Sequence, residues 1–270
     1  MKRKQILLAV TLLAATALTT SCGKFLDKAM RVAMESISHD YQDSEKWGKV
    51  VSLDMPALPF HEVEISGAVR VEYRQDSIYS VQVYGNEKAI EAYAVSVDDE
   101  EIEASWKDNS GHVDADTPAI TLRITAPNLS KIKGTGASEV DFQGDVRTDD
   151  EMELSFSGLA QVSIPSLDAK SLDLNIAGAG EVSLGDIRCA EEVEMEISGA
   201  GDIDGKIACP RLEVKLAGAA TASLDIHTQK TKLSAPGASS ITLAGETETL
   251  VVVSSGASSV DKQNLKVSRP

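Results

Sequence analysis

Acidic side chains are the most abundant groups in this sequence that could do chemistry. They form three short runs at 98–101, 149–151 and 191–194. Neighbouring carboxylates bind Ca²⁺ or serve as the acid and base of a polysaccharide-degrading enzyme. Enzymes of that kind build a cleft from long loops, and the short repeats described below leave no room for them. A solvated acidic face is therefore favoured over a calcium site, and a calcium site over catalysis.

Other catalytic and cofactor patterns are absent from the sequence. The four histidines and three cysteines are scattered, with no cluster at zinc-ligand spacing. Gly178-Ala179-Gly180 lacks the third glycine of a dinucleotide loop, and no Gly-x-Ser-x-Gly elbow occurs. We predict no catalytic residues, no metal and no cofactor. The formal net charge of −16 argues against binding to nucleic acid, because an acidic surface repels phosphates.

The N-terminus has the features of an export signal. Basic residues at 2–4 precede an apolar run from Ile6 to Leu18, and small residues lead to Cys22. We expect residues 1–21 to be a lipoprotein signal peptide and Cys22 to be lipidated, which makes the membrane a partner through the lipid anchor. An ordinary signal peptide is the alternative. Gly23 favours the outer membrane, and the face of that membrane stays open.

The remaining chain divides into four segments. Residues 22–58 are expected to be a lipidated tether, either a short amphipathic helix with apolar residues from Leu26 to Ile37 or a poorly ordered stalk. Met55-Pro56 breaks any helix there. Residues 59–130 are predicted to be a β-rich cap with one short helix at 86–93, residues 131–262 a repeat domain, and residues 263–270 a tail. The cap aromatics, such as Tyr93 and Trp106, could stack on sugars but more often pack a core.

A repeat of 19 to 22 residues organises the chain. Its marker is a glycine within Ser/Ala-Gly-Ala or a near copy, at Gly136, Gly158, Gly178, Gly199, Gly218, Gly237 and Gly256. An earlier copy at Gly67 lies 69 residues before Gly136, so a different segment is inserted between these two glycines. Apolar residues alternate with polar ones on both sides of each glycine, which predicts two short strands joined at a tight corner. One repeat alone cannot bury its apolar side, so the repeats must stack.

Equal repeat lengths favour a solenoid over a β-sandwich. We predict an all-β fold, a single-stranded parallel β-helix of about seven rungs, right-handed by the general crossover rule. The β-rich cap would close its N-terminal end against edge pairing.

Two features of the repeats are candidate sites. An outward polar column is predicted to form a binding ladder with like residues ~4.8 Å apart; its members are Glu139, Gln161, Glu181, Asp202, Thr221, Ser240 and Ser259. An ordinary polar surface is the alternative. Cys189 and Cys209 fall within one residue of register on adjacent rungs, so a disulfide between them suits an exported protein.

The order of these motifs resembles the "putative auto-transporter adhesin, head GIN domain" family over about residues 60–261. The resemblance rests on Phe60-x-x-Val63-x-Ile65-x-Gly67, Gly85-Asn86-Glu87 before a short helix, Pro127-Asn128-Leu129 and the Ser/Ala-Gly-Ala repeats. It implies a β-helical, non-enzymatic envelope protein with adhesion as the role, and it brings no catalytic residues.

We therefore expect a lipid-anchored envelope protein that presents a rigid polar surface to a glycan or to an envelope or host protein. Two alternatives are a glycan-active enzyme built on a β-helix and a structural module that self-associates. The oligomeric state is left open by the sequence.

Overall fold

The computed structural model describes residues 45–107 and 119–269. The elements are β1 Val50–Asp54, β2 Glu62–Gln75, β3 Ser80–Asn86, α1 Glu87–Ala92, β4 Tyr93–Asp98, β5 Glu101–Trp106, β6 Ile120–Ala126, β7 Lys131–Phe142, β8 Asp145–Arg147, β9 Glu151–Gly237, β10 Ser240–Gly256 and β11 Ser259–Val267. The predicted all-β class is confirmed, and α1 is the one helix of the described residues, where the sequence predicted it. The predicted signal peptide, Cys22 and most of the tether lie outside these residues.

The strands form one large mixed sheet that is not closed. Strands β2, β7, β9, β10 and β11 pair in parallel along the sequence order. Corner glycines are register partners in these ladders: Gly67 pairs with Gly136, Gly136 with Gly158, and Gly237 with Gly256. The repeats of the sequence therefore stack directly on one another.

The corners need glycine for two separate reasons. Gly136 has a φ of +104°, a backbone conformation that other residues rarely adopt. A Cβ atom there would lie 2.6 Å from the carbonyl oxygen of Gly67 in the repeat below. The predicted corner role of the glycines is confirmed by both observations.

The apolar columns of the repeat line the core. The column four places before each glycine is fully buried along most of the stack, as at Ile132, Leu154, Leu174, Met195, Val214 and Leu233. Continuous burial of this kind supplies the stability that a single repeat lacks.

The N-terminal segment folds differently from the prediction in one respect. Strand β2 belongs to the stacked repeats, because its residues 62–73 pair in register with β7. On its other side, β5 pairs with residues 62–65 and β6 with residues 69–75. Two strands of the inserted segment thus occupy the place of one preceding repeat. Strands β1, β3 and β4 extend this layer by antiparallel pairing.

The ordered sheet also exceeds the predicted segment boundaries at both ends. Strand β1 lies within the segment expected to be a tether, since Val50 to Asp54 pair with β3. Residues 264–267 of the expected tail continue β11 and pair with residues 244–247. The first boundary was placed at the helix-breaking Met55-Pro56 and the second after the last repeat, whereas these strands are held by pairing with sequence-distant partners.

Candidate functional site

The outward polar column lies along one side of the stacked repeats. Glu139 pairs with Gln161, Thr221 with Ser240, and Ser240 with Ser259 in the parallel ladders. Glu181, Asp202, Thr221, Ser240 and Ser259 are exposed and Gln161 is half-buried. At the end of the column, the Ser259 hydroxyl donates to the Ser240 hydroxyl at 3.4 Å. The column is therefore a flat row of polar groups with a regular spacing along the stack.

Glu139 differs from the other members of the predicted ladder because its side chain is only 8% exposed. The prediction that it is a free outward group is wrong: Arg70, its register partner one repeat earlier, lies over it with Nε 3.6 Å from a carboxylate oxygen. Burial raises the pKa of Glu139, and the positive charge of Arg70 opposes that rise. The other carboxylate oxygen has no hydrogen-bond partner among the described residues.

Arg70 is the centre of a charged cluster that sequence reasoning missed. Its Nη2 donates to Asp141 at 2.6 Å, and its Nε lies 3.3 Å from Glu72. Arg123 donates to Glu72 at 3.0 Å and covers the ring of Tyr84 at 4.3 Å. Burial lowers the pKa of Arg70, but the surrounding carboxylates outweigh it and the net shift is upward. An alignment of the repeats on their glycines contains the signal for this contact, because Arg70 follows Gly67 at the same position that Glu139 occupies after Gly136.

The acidic runs do not converge on one point. Asp99 and Glu100 form the turn between β4 and β5, where both have positive φ. Glu192 and Glu194 lie on the stack and pair with cations of the next repeat, Arg211 at 3.0 Å and Lys215 at 2.6 Å. In the ranges 45–107 and 119–269, no three His, Cys, Asp or Glu side chains meet in a way that could hold a metal ion. The acidic side chains of these runs therefore lie on the surface, where they form ion pairs or face solvent.

Cys189 and Cys209 are both buried and are free thiols in this structure. Burial raises the pKa of Cys189 to about 12, and the neighbouring Cys209 adds to the shift. Burial also raises the pKa of Cys209 to about 11, and its Sγ donates to the carbonyl oxygen of Arg211 at 3.0 Å. The two thiols are neighbours on the inner side of the stack. The disulfide between them stays a prediction.

Three threonines form a buried hydroxyl cluster in the last repeats. Thr228 donates to Thr247 at 2.8 Å, Thr231 donates to Thr247 at 3.2 Å, and Thr228 and Thr231 lie 2.7 Å apart. The Thr247 hydroxyl in turn donates a hydrogen bond to the carbonyl oxygen of Thr249 at 3.1 Å. An open groove of about 480 Å³ runs past this cluster, with His227 and Glu246 on its rim. The Nδ1 atom of His227 lies 3.1 Å from a carboxylate oxygen of Glu246, and both side chains are exposed to solvent.

The aromatic residues of the N-terminal segment mostly pack internally. Tyr93 is buried, and its hydroxyl bonds to both the N–H and the carbonyl oxygen of Ala68, at 2.9 and 3.1 Å. It covers Gly67, the first corner glycine, and its ring meets Trp106 edge to face at 5.1 Å. These contacts favour the core role over sugar stacking.

The family model for "Putative auto-transporter adhesin, head GIN domain" matches residues 59–206 and 191–269. The chain belongs to this head GIN domain family. The match includes β11 and begins before β2, so the family covers the whole stack of repeats. No curated protein matches the chain.

Solved structures similar to this head GIN domain protein share its fold at low identity. A putative adhesin from Bacteroides fragilis NCTC 9343 is 18% identical, with a TM-score of 0.60 over 82% of this chain and 98% of the other. A putative lipid binding protein from Parabacteroides distasonis ATCC 8503 is 15% identical, with a TM-score of 0.54 over 79% and 96%. A putative adhesin from the same strain is 17% identical, with a TM-score of 0.54 over 82% and 100%.

In the described part of this head GIN domain protein, no helix is long and apolar enough to span a membrane.

Proposed function

We propose that this head GIN domain protein is a non-catalytic, adhesin-like protein of the cell envelope, held to the outer membrane by a lipid on Cys22. Family membership supports the adhesin role and the envelope location. In this proposal the stacked repeats form a right-handed parallel β-helix of about seven rungs, closed at its N-terminal end by the inserted strands. The parallel in-register pairing of the corner glycines supports that architecture.

The observation that carries the binding role is the exposed part of the polar column. Amide, carboxylate and hydroxyl groups from Gln161 to Ser259 repeat at the strand spacing of ~4.8 Å on a face that the described residues leave open. A rigid backbone presents them without the entropy cost of ordering a loop. Such a row suits an extended polar ligand, either a glycan or a strand of an envelope or host protein.

A glycan array screened with the full-length protein in mild detergent tests the proposal. Three ladder residues from consecutive repeats are replaced together in one variant, Glu181→Ala, Asp202→Ala and Thr221→Ala. The matched control is Asp186→Ala, Lys206→Ala and Asp225→Ala, which are exposed residues of the same three repeats, four or five positions further along the chain than the ladder residues. We expect the ladder variant to lose about tenfold in affinity, the equivalent of one or two hydrogen bonds, and the control to keep it.

Equal binding by the two variants would contradict the ladder as the binding surface. The bound glycans are also incubated with the protein and assayed for new reducing ends or unsaturated products. Their appearance at a rate that depends on protein concentration would favour the glycan-active enzyme instead.

A further inference from the structure

The hydrophobic core of the stack reaches the surface at its N-terminal end. Leu53 of β1 lies opposite Val83 of β3, which is fully buried and in turn lies opposite Leu122 of β6. Residues directly opposite one another in a sheet point to the same face. Leu53 is therefore the last member of a core column, and it is 50% exposed because no strand of the described residues follows β1.

Two more large apolar side chains are exposed at this end. Leu58 and Ile78 are 47% and 58% exposed. They lie near each other, because Phe60 and Tyr79, one or two residues further along the chain, pack edge to face with their ring centroids 5.6 Å apart. The exposed apolar surface thus extends from Leu53 past the end of β1.

The apolar surface continues onto β4, the last strand on the other half of this end. Val95 and Val97 of β4 are half-buried and lie opposite the buried Ala104 and Ile102 of β5. Both halves of the last layer therefore present members of core columns. We call this surface the end face; it consists of Leu53, Leu58, Ile78, Val95 and Val97.

The chain that leads into this end has the sequence pattern of an amphipathic helix. With 3.6 residues per turn, the apolar residues of this segment share one side and the charged residues share the other. The apolar side consists of Leu26, Met30, Ala33 and Ile37, and the charged side of Asp27, Lys28, Arg31 and Glu35. Residues 26–37 would form a helix ~18 Å long. A helix of that length is marginal in water by itself, so it needs a surface to fold against.

The connection to the domain is short enough to select the end face. Residues 38–44 span at most ~25 Å when fully extended, and β1 follows directly after them at Val50. The other exposed apolar run, residues 251–253, lies at the opposite end of the stack. Corner glycines stacked one on another from Gly67 to Gly256 make up seven strand spacings, or ~34 Å. The segment therefore reaches the end face and not the other apolar run.

We propose that residues 26–37 form a helix that packs its apolar side on the end face of the same chain. The charged side of the helix then faces solvent, which gives the stack the polar outer cover that a terminal repeat needs. The helix also covers the edge at β1, where another strand could otherwise pair. The docking does not rest on the lipid of the proposed function. Where that lipid is present on Cys22, the docked helix holds the stack close to the membrane.

Amide hydrogen exchange of the full-length protein in mild detergent, measured by mass spectrometry, tests the docking. We expect residues 26–37 to exchange at least about tenfold more slowly than an unstructured chain. Leu53→Asp with Leu58→Asp should abolish this protection, because charges on the end face exclude an apolar helix. The matched control is Val251→Asp with Val253→Asp, which changes exposed apolar residues at the opposite end and should keep the protection. Slow exchange in β9 reports that each variant is folded.

Other occupants of the end face and other states of the segment give different results. Protection that survives Leu53→Asp with Leu58→Asp would mean that the helix binds detergent or lipid instead. Protection that increases with protein concentration would mean that a second copy supplies the helix, and fast exchange throughout would mean a poorly ordered stalk. Each of these results would overturn the proposal. The intact mass of the same sample reports acylation of Cys22, so a failure of the lipid anchor is distinguished from a failure of the docking.

Thiol labelling tests the end face while β1 keeps its own sequence at Leu53 and Leu58. Ile78→Cys places a thiol on the end face, and Ser52→Cys is the control, exposed on the other side of β1. Met30→Asp with Ile37→Asp in the segment should speed maleimide labelling of the Ile78→Cys thiol at least about fivefold. Labelling of the Ser52→Cys thiol should not change. An unchanged rate for Ile78→Cys would overturn the proposal.

Discussion

Alanine substitution at two glycines separates the backbone role of the corners from their close stacking. Gly136 and Gly144 have similar positive φ values, +104° and +93°. A Cβ atom at Gly136 would meet the carbonyl oxygen of Gly67 at 2.6 Å and its carbonyl carbon and nitrogen at 3.2 Å, whereas at Gly144 nothing lies within 4 Å. Alanine would therefore be held at positive φ at both sites, but its methyl group would clash with a neighbouring repeat only at Gly136.

The expected losses follow from these two costs. Holding alanine at positive φ destabilises the fold by about 1–2 kcal/mol at either site. Forcing a methyl group against the fixed backbone of a neighbouring repeat costs about 1–3 kcal/mol more, at Gly136 only. We therefore expect a fall in the free energy of unfolding of about 1–2 kcal/mol for Gly144→Ala and about 2–5 kcal/mol for Gly136→Ala.

Urea unfolding followed by far-ultraviolet circular dichroism measures both values, with the m-value as a check that each variant unfolds in the same way. Equal losses at the two sites would refute the inference that the corners are stacked in contact. A larger loss at Gly144 would refute it more strongly, because that site has only the backbone cost.

Three further predictions concern the buried polar groups. Arg70→Met leaves the Glu139 carboxylate buried without its partner and should cost about 2–3 kcal/mol at neutral pH, reduced from the fully buried case because Arg70 is 29% exposed. Burial raises the pKa of Glu139 above its unfolded value, so the loss of stability in Arg70→Met should shrink as the pH falls through that raised pKa. If the melting temperature of the variant does not recover toward that of wild type at pH 5, the buried Glu139 carboxylate is not the source of the loss. Thr247→Val removes the shared acceptor of two buried threonine hydroxyls and should lower the free energy of unfolding by about 1–2 kcal/mol in urea titrations; an unchanged midpoint would mean that the cluster contributes little. In protein recovered from an oxidising envelope compartment we expect Cys189 and Cys209 to be disulfide-linked in unreduced peptide maps, and recovery of both as alkylated thiols would exclude the bond.

The sequence was sufficient for the parts of the fold that repeat. Period-two alternation about the glycines predicted the strands, and equal spacing predicted the in-register stacking of Gly67, Gly136 and Gly158. Positive φ at the corners followed from the chemistry of glycine. These features depend on local pattern, which is fully present in the chain.

Features that depend on pairing between residues far apart in the chain were harder to predict from the sequence. Strand β1 carries no repeat marker and is held by β3, and the residues of β5 and β6 give no sign that they share one side of β2. The burial of Glu139 was missed because Arg70 was separated from it by the inserted segment. A charged residue in an outward column looks exposed until the side chain that covers it is known.

Each corner glycine from Gly136 onward lies against the backbone of the corner glycine one repeat earlier, and Tyr93 covers Gly67, the first of them. A whole repeat gained or lost in the middle would leave both termini of the stack unchanged. Homologous proteins of different lengths can therefore arise by duplication or deletion of single repeats, which would change how far the polar column extends without changing its spacing.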